Sequence, residues 1–321
     1  MTADTSGRSF KKLRVSLTHD CNYACVYCSY GHNSEEEPSY LKPSHAKKVL
    51  PASELTEIIR KLHALLQLKA VRLTGGEPLL YPRLKSTIAT IRDMGISNIG
   101  MTTNGHLLQS KVKDLHEAGL QSVNISLDAL SEEKFMQMSR FPGLSKVLNS
   151  IDAALEVGIN VKLNAVIVAG RNEQEILPLL DFAMRKKVVI RFLELMPMGP
   201  LHKTMNGLFF SKYHILQVLH SRYSIAEMPR EMSSTADYWS IDGKKAFGII
   251  ANDSSPFCSD CNRLRLDSYG NLYGCLSSLI PVPVSADIEP DEMISALQLA
   301  ITHKQPSRFV GNLRTMQSIG G

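Results

Sequence analysis

The feature that most limits what this chain can fold into is an alternation. Through its first two-thirds, short apolar and β-branched runs recur, separated by amphipathic segments. LRVSL (Leu13 to Leu17), AVRLT (Ala70 to Thr74), ISNIGM (Ile96 to Met101), SVNISL (Ser122 to Leu127), NVKLNAVIV (Asn160 to Val168) and VVIRFLEL (Val188 to Leu195) read as six buried strands. Between them, ASELTEIIRKLHALL (Ala52 to Leu66), LLQSKVKDLHEAGL (Leu107 to Leu120) and EQEILPLLDFAMRKK (Glu173 to Lys187) carry helical periodicity, and several end in glycine, as helices do. After the first connection the strands recur every 25 to 40 residues or so, roughly a strand plus a crossover helix, which predicts consecutive parallel strands joined right-handedly. Six such units make an α/β fold: a curved sheet or incomplete barrel whose chemistry sits on loops at the strand carboxyl ends.

The pattern changes after Gly199. A helix near Ser211 to Arg222 leads into DYWSIDGKKAFGII, a hairpin turning at Asp242-Gly243, and PDEMISALQLAI reads as a late helix. No clean linker appears, so the division is residues 1–225 for the barrel and 226–321 for a cap packed on it. With 44% hydrophobic and 21% charged residues this is an ordinary globular composition. No apolar run is long enough to span a bilayer and MTADTSGRSFKK lacks the apolar core of a signal peptide, so a cytoplasmic protein is expected. The net charge of +5 comes from 36 basic and 31 acidic residues scattered along the chain, without the basic block of a nucleic-acid-binding tail.

The six cysteines are unlike a disulfide framework, because a reducing compartment disfavours one and they fall in two distant triplets. THDCNYACVYCSYGH holds Cys21, Cys25 and Cys28 directly after the first strand. A structural zinc would want a fourth ligand, which His19 or His32 could supply. An iron-sulfur cube would instead leave one iron open to bind another molecule. FCSDCNRLRLDSYGNLYGCL holds Cys258, Cys261 and Cys275. A zinc ribbon would need a second pair here, and Asp260 or Asp267 would be a poor substitute.

The first triplet, with Tyr27 before its last cysteine, resembles the cluster loop of radical S-adenosylmethionine (SAM) enzymes. TGGEP (Thr74 to Pro78) after the second strand is similar to that superfamily's methionine-binding motif, where Gly75 and Gly76 let backbone approach a ligand and Glu77-Pro78 sets the turn. The resemblance implies that the methionine moiety chelates the open iron of a 4Fe-4S cluster, and that one electron from the cluster releases a 5′-deoxyadenosyl radical. It also implies cofactor contacts from Ser126, in ISLDA, and Met196.

A narrower resemblance covers almost the whole chain. CNRLRLDSYGNLYGCL, RFLELMPMG (Arg191 to Gly199) and the terminal SIGG resemble the GTP 3′,8-cyclase family, which opens molybdenum cofactor biosynthesis. The fold implied is an incomplete (β/α)6 TIM-like barrel of the radical SAM type, with a C-terminal cap carrying a second 4Fe-4S cluster. GTP contacts are implied for Arg14, Arg72, Thr102, Lys162, Arg191, Arg263 and Arg265, and catalytic roles for the three N-terminal cysteines, Arg263, Arg265 and the tail glycines Gly320 and Gly321. Guanidinium forks suit triphosphate and guanine acceptors. The basic residues among these fall on strands or strand ends with apolar neighbours, and they should converge at the barrel mouth. By the same resemblance GTP becomes 3′,8-cyclo-7,8-dihydro-GTP, a downstream cyclic pyranopterin monophosphate synthase takes the product, a reductant such as flavodoxin or ferredoxin supplies electrons, and the enzyme is a homodimer. Neither nucleic acid nor membrane is an expected partner.

The chain departs from the family where His19-Asp20 replaces a usual Asp-Arg, where Ser29-Tyr30 replaces Met-Pro and opens the acidic insertion GHNSEEEPSY, and where Ala70 replaces a frequent lysine beside Lys69. Two rival readings are a radical SAM paralogue acting on another nucleotide or a peptide, and a zinc-stabilised binding protein without catalysis.

Overall fold

The computed structural model describes residues 4, 7–30, 48–201, 205, 207–312 and 314–320. Its strands are β1 (Lys12–Ser16), β2 (Ala70–Thr74), β3 (Asn98–Thr103), β4 (Ser122–Ser126), β5 (Asn160–Ile167), β6 (Val189–Glu194), β7 (Ile225–Glu227), β8 (Asp237–Ile241), β9 (Lys244–Ile250), β10 (Arg263–Leu266), β11 (Asn271–Tyr273) and β12 (Val282–Pro283). The helices are α1 (Ala52–Leu66), α2 (Leu84–Asp93), α3 (Val112–Ala118), α4 (Glu132–Ser139), α5 (Leu144–Glu156), α6 (Ile176–Arg185), α7 (Lys212–His220), α8 (Pro290–Thr302) and α9 (Met316–Ile319).

Strands β1 to β6 pair in sequence order, all parallel, as the alternation predicts. Among the described residues they form the middle of a sheet ordered β12-β11-β10-β1-β2-β3-β4-β5-β6-β9-β8-β7, an open sheet that does not close on itself. The residues after 225 do more than cover this sheet. They extend it at both edges, because β10 pairs parallel with β1 and β9 pairs parallel with β6.

Helix α1 shows why these segments fold as they do. Leu55, Ile58, Ile59, Leu62 and Leu66 recur on one face and all are buried, while Gln67 ends the helix in the left-handed region and donates to the His63 carbonyl. Helix α6 starts at Ile176, after a single 3-10 turn over residues 173–175. Pro178 then lies in the first turn, where its missing N–H would have no partner in any case. The expected helix from Leu107 begins only at Val112, with turns before it, and the β4-to-β5 crossover contains two helices, α4 and α5. The β8–β9 hairpin turns at Asp242 (φ 51°) and Gly243 (φ 72°), the left-handed pair of a type I′ turn.

The alternation along the strands separates two environments. Leu13, Val15, Val71, Leu73, Ile99, Met101, Val123, Ile125, Leu163 and Ile190 pack under the helices with 0–1% exposure. The residues between them point the other way. Arg14, Thr102, Asn124, Asn164 and Arg191 line a central cavity, so the inner face of this parallel sheet is polar and cationic where an ordinary one would be apolar.

Candidate functional site

The first cysteine loop follows β1, and backbone contacts hold it. Ala24 N donates to the Ser139 carbonyl (3.1 Å) and Val26 N to that of Met138 (3.0 Å). Tyr27 donates its hydroxyl to Asp128 at 2.6 Å, and Asp128 also accepts from Val166 N at 2.8 Å. The TGGEP segment lies directly against the chain leading into this loop: Gly76 N donates to Thr18 O (2.8 Å) and Glu77 N to Asp20 O (2.7 Å). A Cβ on Gly75 would stand 2.4 Å from Thr18 O, and one on Gly76 2.1 Å from Asp20 O, so only glycine allows this approach. The buried Glu77 carboxylate accepts from Leu79 N (3.0 Å), Thr103 Oγ1 (2.7 Å) and Asn104 N (2.8 Å). Burial lifts its pKa to about 7 in spite of these bonds. That carboxylate thus ties the end of β2 to the end of β3.

The second cysteine set sits at the other end of the strands. Cys261 stands two residues before the start of β10, and β10 runs parallel to β1 with Arg263 opposite Lys12. The first loop leaves β1 at its other end, so the five residues of β1, roughly 13 Å at about 3.3 Å per residue, separate the two levels. Strand β11 returns antiparallel beside β10, with Tyr273 opposite Arg265, and brings Cys275 back towards Cys261. All six cysteines line one cavity of about 270 Å³.

Cations surround the second set. Lys304, 7% exposed, donates to Cys261 Sγ (3.3 Å), Arg263 O (2.9 Å) and Gly274 O (2.9 Å), and Arg263 Nη2 reaches Cys261 Sγ at 3.2 Å. Burial alone would raise the Cys261 thiol, but Arg263 and Lys304 outweigh it and bring the pKa down to about 6.

Neither loop suits zinc. A zinc site needs sulfurs about 3.8 Å apart, given Zn–S bonds of about 2.3 Å. Among the described residues no three of His, Cys, Asp and Glu stand close enough to hold one metal ion. Asp267 accepts from Tyr269 N, Asn271 N, Asn271 Nδ2 and Tyr273 Oη, and Asp260 holds Arg230 through both oxygens (2.7 and 2.9 Å). Both candidates of the second loop are thus occupied. Of the two for the first loop, His32 lies outside the described residues, and His19, whose Nδ1 is buried without a hydrogen-bond partner, joins no group of three described residues that could hold a metal ion. Three thiols spread around one cavity suit the larger footprint of an iron-sulfur cube.

Arg14, Thr102, Ser126, Arg191, Met196, Arg263 and Arg265 line the same cavity. Arg72 and Lys162 are on inward-facing strand positions but outside the cavity lining. Arg72 instead donates to Met101 O (3.1 Å) and Ser122 Oγ (3.4 Å). The interior is electrostatically tense. Burial, then the proximity of Arg265, Arg72, Arg263 and Arg191, pulls Arg14 well below the usual guanidinium range. Burial, then Arg191, brings Arg72 down to about 10. Like charges gathered in a water-poor space call for an anion among them.

The tail is more ordered than glycines at a terminus suggest. Helix α9 ends at Ile319, whose carbonyl accepts from Arg265 Nη1 at 3.3 Å, and the Gly320 carbonyl accepts from the same nitrogen. A Cβ on Gly320 would stand 2.4 Å from Thr74 Cγ2, which explains the glycine. Gly321 and the 31–40 insertion lie outside the described residues.

Sequence reasoning did not single out Lys304, Asn104, Asp128 or Tyr23. Asn104 and Asp128 stand in MTTNG and ISLDA, at strand carboxyl ends where chemistry is expected, so a positional signal existed. Lys304 follows a surface helix and carried no signal.

Comparison with known proteins gives a consistent answer. The Radical SAM superfamily model matches residues 15–183 and Molybdenum Cofactor Synthesis C matches 188–309. The GTP 3′,8-cyclase of Corynebacterium glutamicum is 34% identical over 342 aligned positions, covering 99% of this chain and 89% of that protein. That of Staphylococcus haemolyticus is 37% identical over 285, covering 86% and 82%. Among solved structures, native anSMEcpe with bound AdoMet superposes with a TM-score of 0.62 at 15% identity, covering 88% of this chain and 80% of that one, a likeness of fold.

Proposed function

Because the chain belongs to the GTP 3′,8-cyclase family within the radical SAM superfamily, we infer that it converts GTP to 3′,8-cyclo-7,8-dihydro-GTP in molybdenum cofactor biosynthesis. Its cofactors are two 4Fe-4S clusters and SAM. The observation that carries the reading is the placement of two cysteine triplets at opposite ends of one cavity, with buried arginines between them.

When bound, the N-terminal cluster and SAM would supply radical chemistry directed at the ribose 3′ carbon. This chain's own residues do the rest. Cys21, Cys25 and Cys28 hold that cluster, and Tyr27, fixed by Asp128, sets the loop's position. The Cβ-free backbone at Gly75 and Gly76 receives the methionine moiety, Ser126 offers a hydroxyl to it, and Met196 packs on the cofactor. Cys258, Cys261 and Cys275 hold the second cluster. Arg14, Arg72, Thr102, Lys162, Arg191, Arg263 and Arg265 bind GTP, orienting the ribose towards the first cluster so that carbons 3′ and 8 meet. Arg265 anchors the tail through the Gly320 carbonyl, which brings that end of the chain to the cavity from which water and oxygen must be kept.

Among the described residues no helix is long and apolar enough to cross a membrane. A flavodoxin or ferredoxin as reductant, cyclic pyranopterin monophosphate synthase as the next enzyme, a homodimer, and a barrel of 1–225 followed by 226–321 complete the reading.

The test is anaerobic turnover of cluster-reconstituted protein with SAM, dithionite and GTP, followed by mass spectrometry. Both 5′-deoxyadenosine and the cyclised nucleotide are expected. Deoxyadenosine without a GTP-derived product would reject the substrate. Neither compound from fully loaded protein would sink the catalytic reading.

A further inference from the structure

The inward residues of β1 and β2 form a graded row. From strand start to strand end they read Lys12, Arg14, Ser16 on β1 and Ala70, Arg72, Thr74 on β2. Charge sits at the strand starts, and hydroxyls at the ends, next to the first cysteine loop. A polyanionic group is therefore drawn towards the strand starts, and Lys12 is the outermost cation of the row.

The surroundings of Lys12 fit an anion site. It stands in register between Arg263 of β10 and Ala70 of β2, whose methyl leaves space beside it. The charges it feels are Arg263, Cys261, Glu231 and Arg72. The partial burial of its ammonium and then Arg263 lower its pKa, yet the residue stays open to solvent and its ammonium makes no hydrogen bond or ion pair with any described residue. Lys12 is exposed and lies just outside the cavity lining, on the same face of β1 as Arg14, which lines it.

Resting on the GTP reading above, we propose that Lys12 grips the terminal phosphate of the nucleotide and so sets the preference for a triphosphate over a diphosphate. An ammonium on a flexible stem suits this end of the ligand, acting as a mobile point charge where the guanidiniums deeper in the cavity hold fixed forks. Because neighbouring strands lie about 4.8 Å apart, a lysine at position 70 could deliver its ammonium to the same point.

Equilibrium binding of GTP and GDP to cluster-loaded wild type, Lys12→Ala, and Lys12→Ala/Ala70→Lys tests this, with iron content measured on each. The wild type is expected to favour GTP. Lys12→Ala should lose about tenfold in GTP affinity while GDP changes less than about twofold, and Ala70→Lys should restore most of the loss. An unchanged GTP:GDP ratio in Lys12→Ala, an equal loss for both nucleotides, or no recovery on adding Ala70→Lys would each overturn the role of Lys12 alone. Wild type that binds neither nucleotide would overturn the GTP reading along with it.

Discussion

In the first cysteine loop burial pushes Cys21 up to about 11 and Cys28 up to about 12, with Glu77 and Asp128 adding to the rise. In the second, Arg263 and Lys304 outweigh burial and bring Cys261 down to about 6. The same ligand type is thus prepared in two ways. The first loop is shaped by packing and backbone hydrogen bonds, and its thiols lose their protons only as iron takes their place. In the second, cations favour the thiolate of Cys261 before any metal arrives, while burial and the neighbouring thiols push Cys258 up to about 11, and some of those cations belong to the arginine-lined interior. Around the first loop backbone contacts do the work; around Cys261 charge does.

Removing one cysteine from each loop breaks the comparison most sharply. Cys25→Ala should lower 5′-deoxyadenosine formation by about 1,000-fold or more, a loss of over about 4 kcal/mol in transition-state stabilisation. Cys258→Ala should keep cofactor cleavage and lose the cyclised nucleotide. Equal loss of deoxyadenosine in both variants would mean that the loops are not separable in function.

A smaller effect tests the electrostatic half. In cluster-free protein, alkylation of Cys261 should rise as pH passes about 6 and level off above it, because the thiolate is the reactive form. Lys304→Met removes a cation that favours the thiolate, so the midpoint should move up towards the ordinary thiol value of about 8.5, slowing alkylation at pH 6.5 by about tenfold or more. A midpoint that stays near 6 would assign the depression to Arg263 alone.

The smallest effect concerns the cover over the second loop. Arg230 grips Asp260, which also accepts from Ser233 N at 2.7 Å. The pair is partly exposed, at 35% and 25%, so Arg230→Ala should cost below about 1 kcal/mol in thermal unfolding. A larger loss would show that the cover carries more of the fold than its exposure suggests.

Much of this was readable in the chain. Ala52–Leu66 and Ala70–Thr74 form with the limits their periodicity implies, and the Asp242-Gly243 turn adopts the backbone its residues prefer. The helix expected from Leu107 starts later, because apolar spacing marks a buried face without saying whether the first turns coil as a helix. The alternation of Arg263 and Arg265 marks β10 as extended, but β11 and β12 carry too few residues for a periodic signal, and Lys304 looks like any surface lysine until its three acceptors are in place.

By itself the sequence determined most of the local elements, the two thiol sets and the family, while the close approach of Gly75 and Gly76 to Thr18 and Asp20 shows only in the structure. The former depend on neighbours within a few residues, or on motifs whose spacing is local. Only the tertiary structure decided that the two sets face each other across the cavity. That follows from β10 lying parallel to β1 with Lys12 opposite Arg263, a pairing between segments some 250 positions apart. No local period encodes such a partner. It is selected by burial of Leu13, Val15, Leu264 and Leu266 on one face of the sheet, which leaves Lys12, Arg14, Arg263 and Arg265 on the other.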